Sequence, residues 1–459
     1  MRSWRKHSGL FFIAFCSGIF WHGQSKASPS VHVSYPVGAW YWLNSVPPTQ
    51  WKSDLQEMKA GGISYVVAAF GYDTTAFVRR AHDMRTFLDE ADEAGLGVYL
   101  NIWGPSASQL PVPAGMETVD ELGVVRITPN LFERTWVDRI WVPYLETLAE
   151  AAKGHRNFLG YYFDETFQMG RPKIAGLREG RFSSYSELDR IRFRVWLMKK
   201  YGDLPALAKA WREKPASDWN EVAPPAEPSN PKKWWDWIEA RKAWLRDWAQ
   251  ATRAAIRRED PNPAHLLVLE DDELILETEG VTGAAAAKVR AQLGASALAN
   301  MLDQRGLDIR DLARFFDAIS VYAAFSWSGE QDLREYQDQT RRIVRKLKTL
   351  FGEQPFPIFT FWVGTSLDSP RQSHPTVDEI LSIIDIARRE GARAADLYAY
   401  RVGDWRLSPV DRPDLLPGNG RYYPIAPPMK GIYLADRPQV LKALKKALVG
   451  RGLKNPADR

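Results

Sequence analysis

The chain has 459 residues, of which 45% are apolar and 25% charged, so it can bury a large core. This composition excludes disordered and collagen-like proteins. The formal charge is +5, but residues 1–27 hold four basic residues and no acidic one, which leaves +1 without them. A nearly neutral chain gives no charge-based reason to expect nucleic acid or a membrane surface as a partner.

Residues 1–27 predict a secretory signal peptide. A basic start precedes the apolar run Leu10–Trp21, which is short for a membrane anchor, the alternative interpretation. Ser25-Lys26-Ala27 supplies small residues for cleavage before Ser28, and no later segment is apolar for long enough to cross a membrane. We therefore expect an exported protein, periplasmic or secreted. The only cysteine, Cys16, lies in this leader, so the mature chain would have no thiol or disulfide.

Short β-branched and aromatic runs then alternate with longer helical patterns. Most runs are continuous apolar stretches, which is typical of parallel strands covered on both faces. The predicted strands are Val37–Trp42, Ser64–Phe70, Gly97–Trp103, Phe158–Asp164, His265–Glu270, Asp317–Ala323, Pro357–Val363 and Ala394–Tyr400. Eight alternating units predict a (β/α)8 TIM barrel over residues 28–440, followed by a basic helix end and tail over 441–459.

Two connections are too long for ordinary loops, residues 104–130 and a helical insertion over about 166–263. The insertion carries an aromatic stripe that we expect to pack against the barrel: Trp234, Trp237, Trp244, Leu245 and Trp248. An earlier helix, 185–202, is expected to bury the side that carries Leu188, Ile191, Val195 and Leu197.

A carboxylate pair follows the fourth predicted strand, where barrel enzymes place catalytic groups. Glu165 is a candidate general acid, and Asp164 a candidate to hold a sugar hydroxyl or to tune the pKa of Glu165. The alternative is a structural salt bridge with Arg401. A second acidic group follows the fifth strand, where Asp271 or Glu270 is either a catalytic base or part of a solvated turn.

Aromatic residues gather at the predicted ends of several strands, where flat apolar faces suit stacking against sugar rings. The candidate carbohydrate-binding residues are Trp40, Trp42, Asn101, Trp103, Tyr322, Trp362, Tyr398, Arg401 and Trp405. Each tryptophan is also compatible with a place in the core. The histidines form no ligand-spaced pair, and neither a phosphate loop nor a GxSxG motif occurs, so we expect no metal and no cofactor.

Several stretches resemble glycoside hydrolase family 42, the β-galactosidase-like barrels of clan A. They are Asp120–Gly123 with Arg126 and Pro129-Asn130, Gly160–Glu165, Phe193–Trp211 with Trp219 and Pro224-Pro225, and Gly391–Asp396 before Tyr398. The third is the most specific, being similar to the family's "WLKxKYGxLxxLNxAW" helix. The resemblance implies a TIM barrel that acts on glycosides, with Glu165 at the position of the acid/base.

The chain departs from this family at two positions. The family's fourth-strand Asn is Asp164 here, and the region of its seventh-strand nucleophile, Phe356–Asp368, contains no Glu. The family's retaining mechanism therefore does not transfer directly. Either the alignment of the seventh strand with the family is shifted, or another carboxylate takes the place of the nucleophile, or the barrel no longer hydrolyses glycosides. The sequence predicts an exported glycoside hydrolase for a β-linked oligo- or polysaccharide. Its alternative is a non-catalytic carbohydrate-binding barrel that assists polysaccharide export or assembly.

Overall fold

The eight predicted runs form one closed barrel of parallel strands in the computed structural model, which confirms the predicted TIM barrel. The barrel strands are β1 (Val37–Tyr41), β2 (Tyr65–Gly71), β3 (Gly97–Trp103), β6 (Phe158–Asp164), β7 (Ala264–Glu270), β8 (Ala318–Ala323), β9 (Phe356–Trp362) and β11 (Ala394–Arg401). Two further strands, β4 (Glu117–Val119) and β5 (Val125–Pro129), form an antiparallel hairpin after β3. The short strands β10 (Thr365–Ser366) and β12 (Gly431–Ile432) also pair antiparallel.

The helices follow the strands as the sequence predicts. They are α1 (Pro48–Ala60), α2 (Phe77–Ala94), α3 (Arg134–Trp136), α4 (Val142–Ala152), α5 (Glu187–Tyr201), α6 (Leu204–Trp211), α7 (Pro231–Glu259), α8 (Ile309–Leu312), α9 (Glu330–Phe351), α10 (Val377–Glu390) and α11 (Pro438–Gly450). The structure describes residues 35–43, 46–71, 77–103, 114–130, 132–164, 183–270, 308–323, 325, 330–352, 355–366, 374–402 and 431–450. All of them belong to the unit Ser34–Arg459.

Helix boundaries agree with their local signals. Thr376 and Glu379 form a capping box at the start of α10, which satisfies backbone N–H groups that have no partner within the helix. In α1, the apolar residues at helical spacing are buried, and Gly61 caps the helix. The predicted barrel boundary at residue 440 falls inside α11, whose Leu441 and Leu448 approach Gly61 and Gly62 beyond α1.

The barrel wall separates two apolar cores. Along β3, Leu100 and Ile102 face the outer core beneath the helices, whereas Tyr99 faces the inner core that fills the barrel. This alternation follows from the two-residue period of a strand. Inner-core side chains therefore point towards the barrel axis. We call the end of the barrel at the carboxyl ends of the strands the mouth, and the inner-core residues nearest to that end line it.

The helical insertion between β6 and β7 is built around buried tryptophans. The stripe Trp234, Trp237, Trp244, Leu245 and Trp248 on α7 is buried as predicted. Trp237 packs edge-on against Phe193 of α5, with ring centroids 5.0 Å apart, and also contacts Trp244. Within the described residues, this region forms a continuous part of the outer core.

The predicted buried side of α5 is wrong for three of its four residues. Leu188, Ile191 and Val195 are exposed, whereas α5 buries Asp189, Phe193 and Leu197. The reason lies in tertiary contacts. Phe193 packs among tryptophans, and Asp189 accepts a hydrogen bond of 2.9 Å from the Nδ2 atom of Asn130.

That hydrogen bond joins the two long connections to one another. Asn130 lies just beyond β5, and the backbone N–H of Tyr185, before α5, donates to the Val119 carbonyl of β4 at 2.9 Å. Both connections leave the carboxyl ends of their strands, β3 and β6, and so the hairpin and the insertion meet on the mouth side of the barrel. Among the described helices, none is both long and apolar enough to cross a bilayer.

Candidate functional site

Five of the predicted carbohydrate-binding residues come together at the mouth: Trp40, Trp42, Tyr322, Trp362 and Tyr398. We call them the aromatic cluster. Tyr398 is central, with its ring centroid 5.0 Å from those of Tyr322 and Trp362 and 5.5 Å from that of Trp40. The indole N–H of Trp42 donates to the Tyr398 hydroxyl at 3.0 Å. These contacts fix the ring orientations before any ligand arrives.

Members of the aromatic cluster differ in how much ring surface they offer. Trp40, Trp42 and Tyr398 are buried, while Tyr322 and Trp362 are only partly buried. Stacking against a ligand requires an accessible ring face, so Tyr322 and Trp362 are the members best placed for it. Tyr398 packs against both of them, and Trp40 and Trp42 in turn contact Tyr398.

A buried carboxylate lies beneath the aromatic cluster. Asp396 of β11 accepts hydrogen bonds from the hydroxyls of Tyr65, Tyr162 at 2.9 Å, and Thr360 at 3.0 Å. Burial raises the pKa of Asp396 to about 6, because the ionised form loses hydration, and the three hydrogen bonds oppose this shift. Thr360 also shares a hydrogen bond of 2.7 Å with Ser320, so the polar network crosses the barrel interior.

Gly38 of β1 makes this network possible. A Cβ atom at position 38 would lie 2.2 Å from the Tyr65 ring and 2.6 Å from the Asp396 carboxylate. Any larger residue would therefore separate the phenol from the carboxylate. Glycine at this strand position reflects close packing of side chains across the barrel.

Arg401 does not join the aromatic cluster. Its guanidinium makes hydrogen bonds of 2.8 and 3.0 Å to the two carboxylate oxygens of Asp54 on α1, and Asp54 also accepts from the Tyr41 hydroxyl at 2.9 Å. Asp54 is fully buried, so this bidentate pair ties β11 and β1 to α1 on the outer side of the barrel wall. Arg401, named above as an alternative partner for the carboxylate pair after β6, thus forms its ion pair with Asp54.

The structure describes the remaining predicted site residues to different extents. Asn101 is fully buried on β3. Asp164, Glu270 and Trp103 end their barrel strands at the mouth, where the backbone alone is described. The other three lie outside the described residues: Glu165, Asp271 and Trp405. Among the described histidine, cysteine and carboxylate side chains, none form a group suited to hold a metal ion.

Residues 178–270 match the model of glycoside hydrolase family 42, which is described as β-galactosidase. The matched segment includes α5, α6, α7 and β7, and so contains the motif Phe193–Trp211 that carries the sequence resemblance. Over this segment, the chain is similar to family 42. No curated protein matches it in sequence.

Solved structures extend this likeness to the whole barrel. The β-galactosidase from Rahnella sp. R3 superposes with a TM-score of 0.62 at 15% identity, covering 92% of this chain and 57% of that one. The β-galactosidase from the psychrophilic Marinomonas ef1 gives 0.57 at 16% identity, covering 80% and 54%. The catalytic domain of the Paenibacillus polymyxa β-amylase gives 0.56 at 14% identity, covering 80% and 93%. The chain thus spans little more than half the length of these two β-galactosidases. In fold, the protein is similar to these glycoside hydrolases.

Sequence reasoning missed the polar network around Asp396. Asp396 entered the sequence argument only as part of the family-like segment Gly391–Asp396. A usable signal was present, since an aspartate within an otherwise apolar barrel strand is costly to bury unless it is hydrogen-bonded. The two tyrosine donors could not be assigned from sequence, because Tyr65 and Asp396 are separated by 331 positions.

Proposed function

We propose that the protein is exported and hydrolyses a β-linked oligo- or polysaccharide, with Glu165 as the general acid. The aromatic cluster is the observation that carries this proposal. It places partly exposed rings at the mouth of a parallel barrel, the end at which Asp164 closes β6 and Glu165 follows in the chain. Catalytic residues in TIM-barrel enzymes come from the carboxyl ends of the strands.

The second carboxylate would come from Glu270 or Asp271, at the end of the neighbouring strand β7. The proposal departs from the retaining chemistry of family 42, because Phe356–Asp368 offers no glutamate as nucleophile. With no such nucleophile, a water activated by the second carboxylate inverts the anomeric carbon. NMR of the freshly released sugar should show the inverted anomer. A product with retained configuration would exclude this mechanism.

Hydrolysis of p-nitrophenyl β-glycosides and β-linked oligosaccharides tests the proposal. β-Galactosides come first, since the matched family is described as β-galactosidase. Glu165→Gln keeps the side-chain shape but removes the proton donor, so kcat should fall by about 100-fold or more while binding persists. Glu227→Gln, at an exposed insertion residue, is the matched control and should leave kcat unchanged. Unchanged activity in Glu165→Gln would remove Glu165 from the role.

The second candidate function is a non-catalytic carbohydrate-binding barrel that assists polysaccharide export or assembly. The absence of a glutamate from Phe356–Asp368 favours it. Binding of glycans without hydrolysis of any member of the panel, by the wild type and by Glu165→Gln alike, would establish this alternative. Cleavage of Ala27–Ser28 and recovery of the mature chain outside the cytoplasm would test export.

A further inference from the structure

Asn101 of β3 is a fully buried amide that faces the inside of the barrel. Its neighbours Leu100 and Ile102 belong to the outer core, so strand alternation turns Asn101 towards the interior. Its Cα pairs in register with Tyr162 of β6, two residues before Asp164. Asn101 therefore lies beside Tyr162, a donor to Asp396, and the strand that carries Tyr162 leads into the candidate catalytic pair.

Neither polar atom of the Asn101 side chain has a hydrogen-bond partner among the described residues, and the same is true of the Trp40 indole nitrogen. Such groups are exceptional, since buried polar side-chain atoms in proteins are almost always hydrogen-bonded. Tyr65, Tyr162 and Thr360 close by all have their partner in Asp396. The unpaired atoms thus take no part in the hydrogen bonds around Asp396.

Barrel geometry places Asn101 and Trp40 at the same height. Register pairs Trp40 of β1 with Val67 of β2, and Val67 with Tyr99 of β3. The strand stagger of an eight-stranded TIM barrel advances a horizontal layer by about one residue per strand. Two strands away from Trp40, that layer reaches the residue two positions after Tyr99, which is Asn101. Side chains of one layer come from alternate strands, so the unpaired atoms share a layer.

We propose that Asn101 and Trp40 form a hydrogen-bonding floor for one neutral, hydroxyl-bearing sugar ring, and that this floor selects against sugars that carry a carboxylate. The proposal rests on the proposed carbohydrate function. A hydroxyl group both donates and accepts, and so complements an amide that offers both roles together with an indole N–H donor. Tyr322 and Trp362 of the aromatic cluster would stack on such a ring.

Selection against acidic sugars follows from the charges around the floor. Asp396 lies beneath it, linked through Tyr162. Arg401 is the only lysine or arginine in the eight barrel strands, and Asp54 already holds it on the outer side of the wall. A carboxylate on the ligand would therefore be brought near a buried acid without a compensating cation from these strands.

Calorimetric titration and thermal unfolding with D-galactose, D-glucose and D-galacturonate test the proposal on the full-length mature protein. Asn101→Leu removes both polar atoms at similar size. We expect its Kd for the neutral sugar that the wild type binds best to rise about tenfold or more, from loss of one or two hydrogen bonds. Its unfolding temperature without sugar should be unchanged or higher, because an unpaired buried amide is gone. Asn157→Leu is the matched control, at an asparagine before β6 whose side-chain Nδ2 is also buried and has no hydrogen-bond partner among the described residues.

Each outcome decides one question. The floor is supported if Asn101→Leu binds the neutral sugar more weakly while Asn157→Leu binds it normally. The selectivity is supported if the wild type does not bind D-galacturonate. Equal binding by Asn101→Leu and the wild type, or a lower unfolding temperature with unchanged affinity, would show a purely structural asparagine and overturn the proposal. Binding of D-galacturonate as tight as that of the neutral sugars would overturn the selectivity. Failure of the wild type to bind any sugar tested would instead refute the proposed function, and this inference with it.

Discussion

The insertion and the barrel interior each contain a buried aspartate with several hydrogen-bond donors, Asp236 and Asp396, but the donors differ in kind. In the insertion, Asp236 of α7 receives hydrogen bonds from Lys200 at 2.9 Å, Lys232 at 2.6 Å, and Tyr201 and Trp211 at 2.7 Å each. Burial alone would raise the pKa of Asp236, but these bonds outweigh it and lower the pKa. The carboxylate is therefore ionised and holds α5, α6 and α7 together.

In the barrel interior, each of the three donors to Asp396 is a neutral hydroxyl, and burial dominates, so the pKa rises to about 6. Asn101, the register partner of Tyr162 on the neighbouring strand, has no side-chain hydrogen-bond partner among the described residues. The insertion surrounds its buried carboxylate with cations that reach solvent, whereas the barrel interior surrounds Asp396 with neutral hydroxyls. The two carboxylates therefore respond to burial in opposite directions.

The largest expected effect is on the insertion. Trp211→Ala removes a buried ring and one donor to Asp236, so the free energy of unfolding should fall by about 3–5 kcal/mol. Trp196→Ala, at a partly buried ring covered by the Lys200 ammonium, should cost less. Urea unfolding measures both, beside a sugar titration that should give wild-type affinity. Weakened binding in a fully folded Trp211→Ala would make the insertion a wall of the binding cleft.

The second prediction concerns the pH dependence of stability. The pKa of Asp396 rises from 3.8 in the unfolded chain to about 6 in the folded protein, so the folded state holds its proton more tightly. This group therefore removes stability as pH rises from about 4 to about 6, by about 3 kcal/mol in total. Asp396→Asn should abolish that decline, which urea unfolding at a series of pH values would show. An unaltered decline in the variant would assign it to other groups.

The contribution of Asp236 to stability should depend on pH in the opposite direction, and Asp236→Asn tests this. Because the pKa of Asp236 is lowered in the folded protein, this group stabilises the fold at pH values above its pKa in the unfolded chain. That stability is lost as the pH falls through the pKa of the folded state. At neutral pH the variant should lose about 2 kcal/mol, mainly through weaker bonds from Tyr201 and Trp211, since both lysines are more than a third exposed and screened. The difference from wild type should shrink in acid. A loss of equal size at pH 3 and pH 7 would contradict an ionic role.

The smallest expected effect is on binding at the mouth. Trp362→Ala should weaken sugar binding by about 1–2 kcal/mol through lost stacking area, with little change in unfolding temperature. Trp235→Ala, at a tryptophan of α7 that is also partly buried, is the matched control and should leave binding unchanged. If both substitutions changed the affinity for sugar equally, the mouth and the insertion would not differ in their contribution to binding.

The sequence by itself determined the barrel. All eight predicted strands occur, with ends within one residue of those in the structure, because buried parallel strands are short apolar runs that local composition reveals. The capping box at Thr376 and the buried stripe of α7 were equally readable, since both depend on residues within a few turns of one helix.

Only the tertiary structure decided which polar groups have partners. Arg401 pairs with Asp54, Tyr65 donates to Asp396, and the Asn101 side chain has no hydrogen-bond partner among the described residues. No local sequence pattern indicates any of these outcomes. The buried side of α5 is a similar case, because Asp189 is buried by a hydrogen bond to Asn130 that overrides its hydropathy. The physical reason is range: hydropathy and capping act between neighbours in the chain, whereas a buried hydrogen bond depends on which distant strand or helix the fold brings within about 3 Å.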